Sequence, residues 1–580
     1  MSRCKCINYI VLNKWLRKYI IFVIQVEHIM IFSFLLPLIA GVVQAYNPVV
    51  PVIVDQPYNV ITELEIESAG GDTLDYVDFE FSGIPASNVK SVRLMYSGTM
   101  SCVFRKSFLN QMTTSNAMRK ALQNVSGGQR IWCDPAYVIE KQSVRPRKAE
   151  GGVVKVRLQA PVPLVQGKNY CYVSMEIGGS LDLTQTFQAG VKGVSVNGKQ
   201  LEINQTGTTT KRLGVLVRNA GQEGIATYRI PGLVTTKKGT LVAVFDLRRN
   251  NPNDLNDDID VGVSRSTDGG RTWSKNIVAL DKGLDGGLPE AQNGVGDPCI
   301  LLDQETGWLF VMGLWSHGAG QGWSYVADGK EFPVDFSQPL MACSKDDGKT
   351  WSAPVSLFGS MKPGMVRPFQ GPGRGITMSD GTLVFPFQHL KADRSFAGNS
   401  LLYSKDHGAT WKLSENTCGD ILTEDQVAEI EPGLLMLNSR NHNKNNPGRV
   451  VFTTSDLGTT WTEHPSSHSL QEQICQASLI NVPAKGSPLI TGGSVQGNNL
   501  GQDVLLFSNC DNNSTRTMMT IKASLDKGHT WPNKLLLDEG DSWGYCCMSM
   551  IDEDTVGILF ESSAGQLVFQ AVSLKEILAR

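Results

Sequence analysis

A chain of 580 residues exceeds the roughly 250–300 residues that a single hydrophobic core serves, so two or more domains are expected. Its 53 basic and 56 acidic residues leave a formal net charge of -3, which argues against a nucleic-acid-binding protein. Glycine is abundant at 58 residues, as many tight turns require, and long amphipathic helical patterns are nearly absent apart from a short one over 573–580.

The first 45 residues differ in composition from the rest. Lys14, Arg17 and Lys18 precede apolar runs at 19–26 and 29–43, and Val43-Gln44-Ala45 offers small residues for cleavage. That pattern predicts a secretory signal over 1–45 rather than a membrane span, and hence an exported chain that is periplasmic, cell-surface or secreted. Glu27 and His28 interrupt the apolar stretch, which leaves Met30 as an alternative start. Of twelve cysteines, Cys4 and Cys6 would depart with the signal. The others show no CxxC or His-rich spacing, so no metal and no cofactor are expected. Cys102, Cys133 and Cys171 leave room for one disulfide whose pairing is open; Cys546 and Cys547 read as small buried residues in an apolar strand.

Residues 46–205 read as short strands with turn signals, at 76–81, 89–96, 153–158, 170–175 and 193–196. Even spacing of such strands predicts a β-sandwich, of the kind that binds carbohydrate or acts as a spacer.

From 206 to 580 the pattern Ser-x-Asp-x-Gly-x-Thr-Trp recurs. Four copies begin at Ser266, Ser344, Ser404 and Ser524, and a fifth begins at Thr454. The aspartates Asp268, Asp346, Asp406, Asp456 and Asp526 are 78, 60, 50 and 70 residues apart. Asp and Gly suit a tight turn, Ser or Thr bonds the turn backbone, and Trp packs between units, so each box is structural. Repetition at this spacing predicts an array of small β-sheets: a six-bladed β-propeller in which one blade lacks its box.

Three hairpins carry the functional signal. In 228–248, with its turn at Lys237-Lys238-Gly239, symmetry about the turn sets Arg229 opposite Arg248. In 424–440, turning at Pro432-Gly433, it sets Glu424 opposite Arg440; in 545–561, turning at 552–554, it sets Tyr545 opposite Glu561. Opposed residues lie about 4.5–5.5 Å apart at Cβ. Asp254 and Arg516 occupy polar loops just before strands that lead into Asp boxes, so they emerge at the same rim, away from the boxes. A single charged residue at a strand end is usually a solvated surface group. Arg229, Arg248, Asp254, Glu424, Arg440, Arg516, Tyr545 and Glu561 converging on one mouth is a different matter, and clustered arginine suits a planar carboxylate.

These residues resemble the exo-sialidases (neuraminidases), particularly secreted bacterial enzymes of the Bacteroides type. The resemblance rests on Tyr-Arg-Ile-Pro at 228–231, the five boxes, Glu424 to Glu429 with Asn438-Ser439-Arg440, Gly544-Tyr545, and Leu559-Phe560-Glu561. It covers 206–580, and 46–205 is similar to the N-terminal module of that group. It implies that Arg229, Arg440 and Arg516 grip the sialic-acid carboxylate and that Glu561 orients Arg229. It further implies that Asp254 is the general acid/base and that Tyr545 with Glu424 supplies the nucleophile. Arg248 and Asp297 match positions that contact sugar substituents near O4 and the N-acyl group. A carboxylate nucleophile would be repelled by the substrate's own carboxylate; a phenol is not, and sialidases are the tyrosine exception among retaining glycosidases. The implied activity is removal of terminal sialic acid from glycoproteins, glycolipids and oligosaccharides. The alternatives are a sialic-acid-binding propeller lectin, which would be expected to lack Tyr545, Glu424 or Asp254, and a trans-sialidase.

Overall fold

The computed structural model describes residues 41–99, 101, 139–146, 152–159, 161–255, 257–318, 336–362, 365–391, 395–489 and 497–579. The regular structure of the described chain is nearly all β, with one α-helix, Leu574–Leu578, where the sequence predicts it. No helix among the described residues is long and apolar enough to cross a membrane. Cys102 and Cys133 lie outside these residues; Cys171 is buried.

The N-terminal part forms two sheets. The first runs in the order Glu202–Gly207, Val42–Asn47, Asn59–Ser68, Gly167–Ile177, Val89–Tyr96 and Ile139–Val144. The second contains Thr186–Val196, Thr73–Ser82 and Val153–Leu158. Alternation directs one face of each inward: Val77, Phe79 and Phe81 with Val154, Val156 and Leu158 meet Leu64, Val92, Leu94 and Val173 in one core. Val43 and Ala45 are buried in the Val42–Asn47 strand, so the leader boundary expected at residue 45 falls inside a paired strand.

Beyond residue 226 the described residues form six successive sheets built on antiparallel hairpins. Their first strands include Thr227–Thr235, Val295–Leu302, Val366–Gln370, Leu422–Glu431, Ser478–Val482 and Cys546–Met550. Thr227–Thr235 packs against both Val295–Leu302 and Cys546–Met550, and Ser478–Val482 against both Leu422–Glu431 and Cys546–Met550. Each of the first five sheets ends its third strand in an Asp box, and the boxes share one bonding pattern. In the first, Asp268 accepts from Ser266 Oγ at 2.8 Å, from the Thr272 amide at 3.0 Å and from Thr272 Oγ1 at 2.6 Å, while Ser266 Oγ accepts the Gly270 amide at 2.9 Å. Box tryptophans pack on neighbouring sheets, Trp273 on Phe569 at 5.5 Å and Trp411 on Phe310 at 5.8 Å between ring centroids.

The sixth sheet lacks a box, and its third strand, Leu567–Ser573, runs directly into the helix instead. Its fourth strand comes from the other end of the region: Thr210–Arg218 pairs with Leu567–Ser573 through Val215 to Arg218 and with Thr186–Val196 through Thr210 to Arg212. One strand thus belongs both to the N-terminal sheet and to the last of the six. Lys211 Nζ donates to Pro48 O at 2.7 Å, and the Glu539 amide donates to Val49 O at 2.9 Å across the same seam.

Candidate active site

All six sheets carry a left-handed residue within or shortly before their first strands. These are Ile230 (φ 60°), Asp297 (56°), Arg367 (47°), Glu424 (39°), Ile474 (45°) and Gly544 (86°). In the first four sheets the residue sits at a register shift of the first hairpin. A bulge there breaks the strict alternation and re-aims one side chain out of the sheet. At Gly544 a side chain would not fit, because a Cβ would approach Cys510 Sγ to 2.8 Å and Cys475 Sγ to 3.0 Å.

The bulges correct two of the three expected hairpin pairings. Arg229 lies opposite Asp246 rather than Arg248, and Arg440 lies opposite Thr423 rather than Glu424. The third hairpin has no bulge, and the Glu561 amide donates to Tyr545 O at 2.9 Å as expected.

Glu561, 1% exposed, joins two sheets. Its carboxylate accepts Arg229 Nε at 2.9 Å and Nη2 at 3.4 Å, the Ile230 amide at 3.1 Å and the Tyr545 amide at 2.9 Å. Arg229 is thereby fixed, with its guanidinium 4.5 Å from the Trp543 ring centroid and 5.1 Å from that of Tyr545.

Tyr545 Oη donates to Glu424 Oε1 at 2.6 Å, and Arg440 Nη1 donates both to Glu424 Oε2 at 2.5 Å and to Tyr545 Oη at 3.0 Å. The Glu424 amide donates to Gln388 Oε1 at 2.8 Å, which holds the left-handed turn. Arg516 lies 5.7 Å from the Tyr545 ring centroid and donates to Trp543 O and Ile474 O, each at 2.9 Å. Arg229, Arg440 and Arg516 therefore all border the Tyr545 ring and hydroxyl.

Asp254 stands at the mouth, its side chain 82% exposed, 2.9 Å from Arg248 Nη1 and 3.6 Å from Arg229 Nη1. Arg248 also donates to Pro252 O at 2.8 Å and Asn253 O at 2.9 Å, so it shapes the loop that carries Asp254. Behind it Asp246, not singled out from the sequence, accepts Arg248 Nε and Nη2 at 3.0 and 2.9 Å. The second oxygen of Asp246 accepts the Asp297 amide at 2.9 Å and so fixes that left-handed turn. All nine expected residues are brought together, and Asp246, Arg367, Gln388 and Trp543 join them.

The charges are mutually tuned. Burial pushes Tyr545 well above its ordinary value, and Glu424 adds to the effect. Burial acts to raise Glu424, but Arg440, the Tyr545 hydroxyl and Arg516 outweigh it and hold the carboxyl below its usual range. Desolvation opposes the same outcome at Asp254, where Arg248, Arg229 and Arg367 prevail and keep the carboxyl low. Burial, then Asp246 and Asp254, push Asp297 up to about 7. The site thus holds a protonated phenol against an ionised base, with a second ionised carboxylate at the solvent edge. Among the described residues no group of three or more His, Cys, Asp or Glu side chains is arranged to hold a metal ion.

Comparison with known proteins shows what the chain as a whole is similar to. A family model for a BNR repeat-like domain matches residues 239–558, and a model for the N-terminal domain of BNR-repeat neuraminidase matches 40–200. A sialidase of Bacteroides fragilis is 41% identical over 541 residues, covering 91% of this chain and 94% of that protein. A sialidase of Micromonospora viridifaciens is 31% identical over 352 residues, covering 60% of this chain and 51% of its own. Among solved structures, a Hadza microbial sialidase superposes with a TM-score of 0.80 at 41% identity, over 92% of this chain and all of that one (100%).

Proposed function

The chain belongs to the BNR-repeat neuraminidase family and is a sialidase, a glycoside hydrolase with sialylated glycans as substrate, and we propose that it is a retaining exo-α-sialidase working through a tyrosyl-linked intermediate. One observation carries the mechanism: the Tyr545 hydroxyl donates to Glu424 at 2.6 Å while Arg440 touches both. A phenol ordinarily titrates near pH ~10 and needs an adjacent base to become a nucleophile.

Arg229, Arg440 and Arg516 receive the sugar carboxylate, whose planar oxygens suit guanidinium forks. Asp254, protonated, gives its proton to the leaving glycosidic oxygen. Tyr545 Oη attacks the anomeric carbon as its proton passes to Glu424, and the bond to the leaving sugar breaks. Asp254, now ionised, takes a proton from water; the water oxygen displaces the tyrosyl oxygen, and Glu424 returns its proton to Tyr545. Glu561 positions Arg229, while Arg248 and Asp297 meet sugar substituents near O4 and the N-acyl group.

In this reading the six sheets are blades of one propeller over 206–580, with Thr210–Arg218 completing the last blade. Residues 46–205 form a β-sandwich module, and the chain is exported with its leader ending before the Val42–Asn47 strand. Two displacements at one carbon retain configuration. Proton NMR of sialyllactose hydrolysis by the full chain is therefore expected to show α-sialic acid first; β-sialic acid as the first product would refute the tyrosyl intermediate.

A further inference from the structure

We infer that Arg367 is a specificity-determining residue of this same site, pairing with Asp297 to read a hydrogen-bonding substituent of the sugar on the ring edge away from its carboxylate. The inference rests on the sialidase reading above.

Position is the first argument. Of the six left-handed positions, five carry a residue of the mouth at or beside the turn: Arg229 next to Ile230, Asp297, Glu424, Cys475 next to Ile474 and packed on Tyr545, and Tyr545 itself next to Gly544. The third sheet delivers Arg367 at the equivalent place, at the register shift between Val366 and Phe369. Its neighbours Val366 and Pro368 are buried while Arg367 is part-exposed, as expected of a side chain turned to the open end.

Local conformation is the second. Arg367 is left-handed directly before Pro368, as Ile230 is before Pro231 and Asp297 before Pro298. A side-chain-bearing residue in that region is conformationally strained, and such strain collects at ligand sites. Glycine would adopt the turn without that strain.

Charge and chemistry are the third. Burial disfavours the Arg367 guanidinium, and the carboxylates that offset this are Asp297 and then Asp254. Arg367 is therefore on the Asp254–Asp297 side of the mouth, whereas Arg440 and Arg516 border Tyr545. With three arginines already assigned to the sugar carboxylate and Asp254 to the glycosidic oxygen, the groups left for Arg367 beside Asp297 are the C4 hydroxyl and the N-acyl amide. Guanidinium only donates, and the Asp297 carboxyl retains an accepting oxygen in either protonation state, so Arg367 with Asp297 matches a group that both accepts and donates: a secondary amide or a hydroxyl.

The test measures kcat/KM for the full chain, Arg367→Ala, Arg367→Lys and Arg367→Gly. The substrates are three aryl α-sialosides: the N-acetyl parent, its 5-deoxy analogue lacking the acylamino group, and its 4-deoxy analogue. Arg367→Ala should lower kcat/KM on the parent by roughly 10–100-fold, the value of a charged hydrogen bond, and by far less on the analogue lacking the group that Arg367 holds. Arg367→Lys should fall between, and Arg367→Gly should repeat the loss of discrimination with a melting temperature at or above that of the parent chain. Equal losses on all three substrates, or no loss on any, would overturn the inference while leaving the sialidase reading intact. Absence of turnover by the unsubstituted chain would overturn both.

Discussion

Glu561→Gln removes one charge and keeps the shape of the most connected side chain in the site. The amide oxygen can stand in for Oε1 and still serve Arg229 Nε and the Ile230 amide, now at 2.9 and 3.1 Å. The amide nitrogen must then face Arg229 Nη2 and the Tyr545 amide, both donors, where Oε2 now accepts at 3.4 and 2.9 Å. Flipping the amide only exchanges which two donors are stranded. Arg229 is 5% exposed, so its charge loses its buried partner, a change that costs about 3–5 kcal/mol. Asp254 at 3.6 Å from Arg229 offsets part of this, so a loss of about 3 kcal/mol in unfolding free energy is expected. Urea denaturation measures it. Because the same change frees Arg229 and the Tyr545 backbone, kcat/KM on a fluorogenic sialoside should fall on the order of 100-fold, about 2.7 kcal/mol of transition-state stabilisation. A variant within about 0.5 kcal/mol of the parent in stability, with unchanged kcat/KM, would refute the role of Glu561 as the joint that positions Arg229 and Tyr545.

Tyr545→Phe should nearly abolish turnover of sialyllactose, whereas Asp254→Ala should spare an aryl sialoside relative to sialyllactose by a margin of about 10²–10⁴-fold, since an aryl group leaves unassisted. Equal slowing of both substrates by Asp254→Ala would remove it as the general acid. Asp297→Asn should flatten the dependence of stability on pH: the native carboxyl titrates at about 7 against an ordinary 3.8, so the fold binds a proton that the unfolded chain releases and loses stability as pH rises through that interval. Unfolding free energies at pH 4 and pH 7 that differ as much in the variant as in the parent would contradict this. A fragment of residues 206–580 keeps Thr210–Arg218 and should fold and hydrolyse soluble sialosides, with reduced stability because Lys211 and Glu539 lose Pro48 and Val49. A fragment of 219–580 lacks the sixth sheet's fourth strand and should fail to fold, as circular dichroism would report.

What the sequence made legible follows the range of the interactions. The Asp boxes close within a few residues, Ser266 to Thr272 and its repeats, so their bonds follow from local chemistry alone. Tyr545 and Glu561 meet across a regular hairpin, and symmetry about the turn suffices. The same reasoning misplaces Arg229 and Glu424 because a bulge adds residues to one side of each hairpin, and no simple count reveals a bulge. Arg229 finds its carboxylate 332 positions away in Glu561, and the sixth sheet takes its last strand from residues that precede the first. Neither partner is encoded nearby. Asp246 reads as the polar end of an alternating strand, and only the folded pair with Arg248 gives it a role. A signal for Arg367 was present, because Ile230-Pro231, Asp297-Pro298 and Arg367-Pro368 each open a sheet.

Under the proposed mechanism the site must change its own proton affinities when substrate arrives. Without substrate, Arg440 and Arg516 help keep Glu424 below its ordinary range, and Arg248 and Arg229 do the same for Asp254. Both settings oppose catalysis: Glu424 is a weak base toward a phenol raised well above 10, and Asp254 a poor carrier of the proton it must donate. The incoming carboxylate is placed against Arg229, Arg440 and Arg516, which include two of the cations that suppress Glu424 and one of those that suppress Asp254. A unit charge about 8 Å away at an effective dielectric of about 20 contributes about 2 kcal/mol, enough to raise each carboxyl by more than one pH unit. Binding thus strengthens the base and loads the acid together. The kcat profile, which reports the complex, should accordingly lie about one pH unit above the kcat/KM profile, which reports the free enzyme, on both limbs with sialyllactose. Coincident profiles would show that the arginines keep their full effect on Glu424 and Asp254 after the carboxylate is bound.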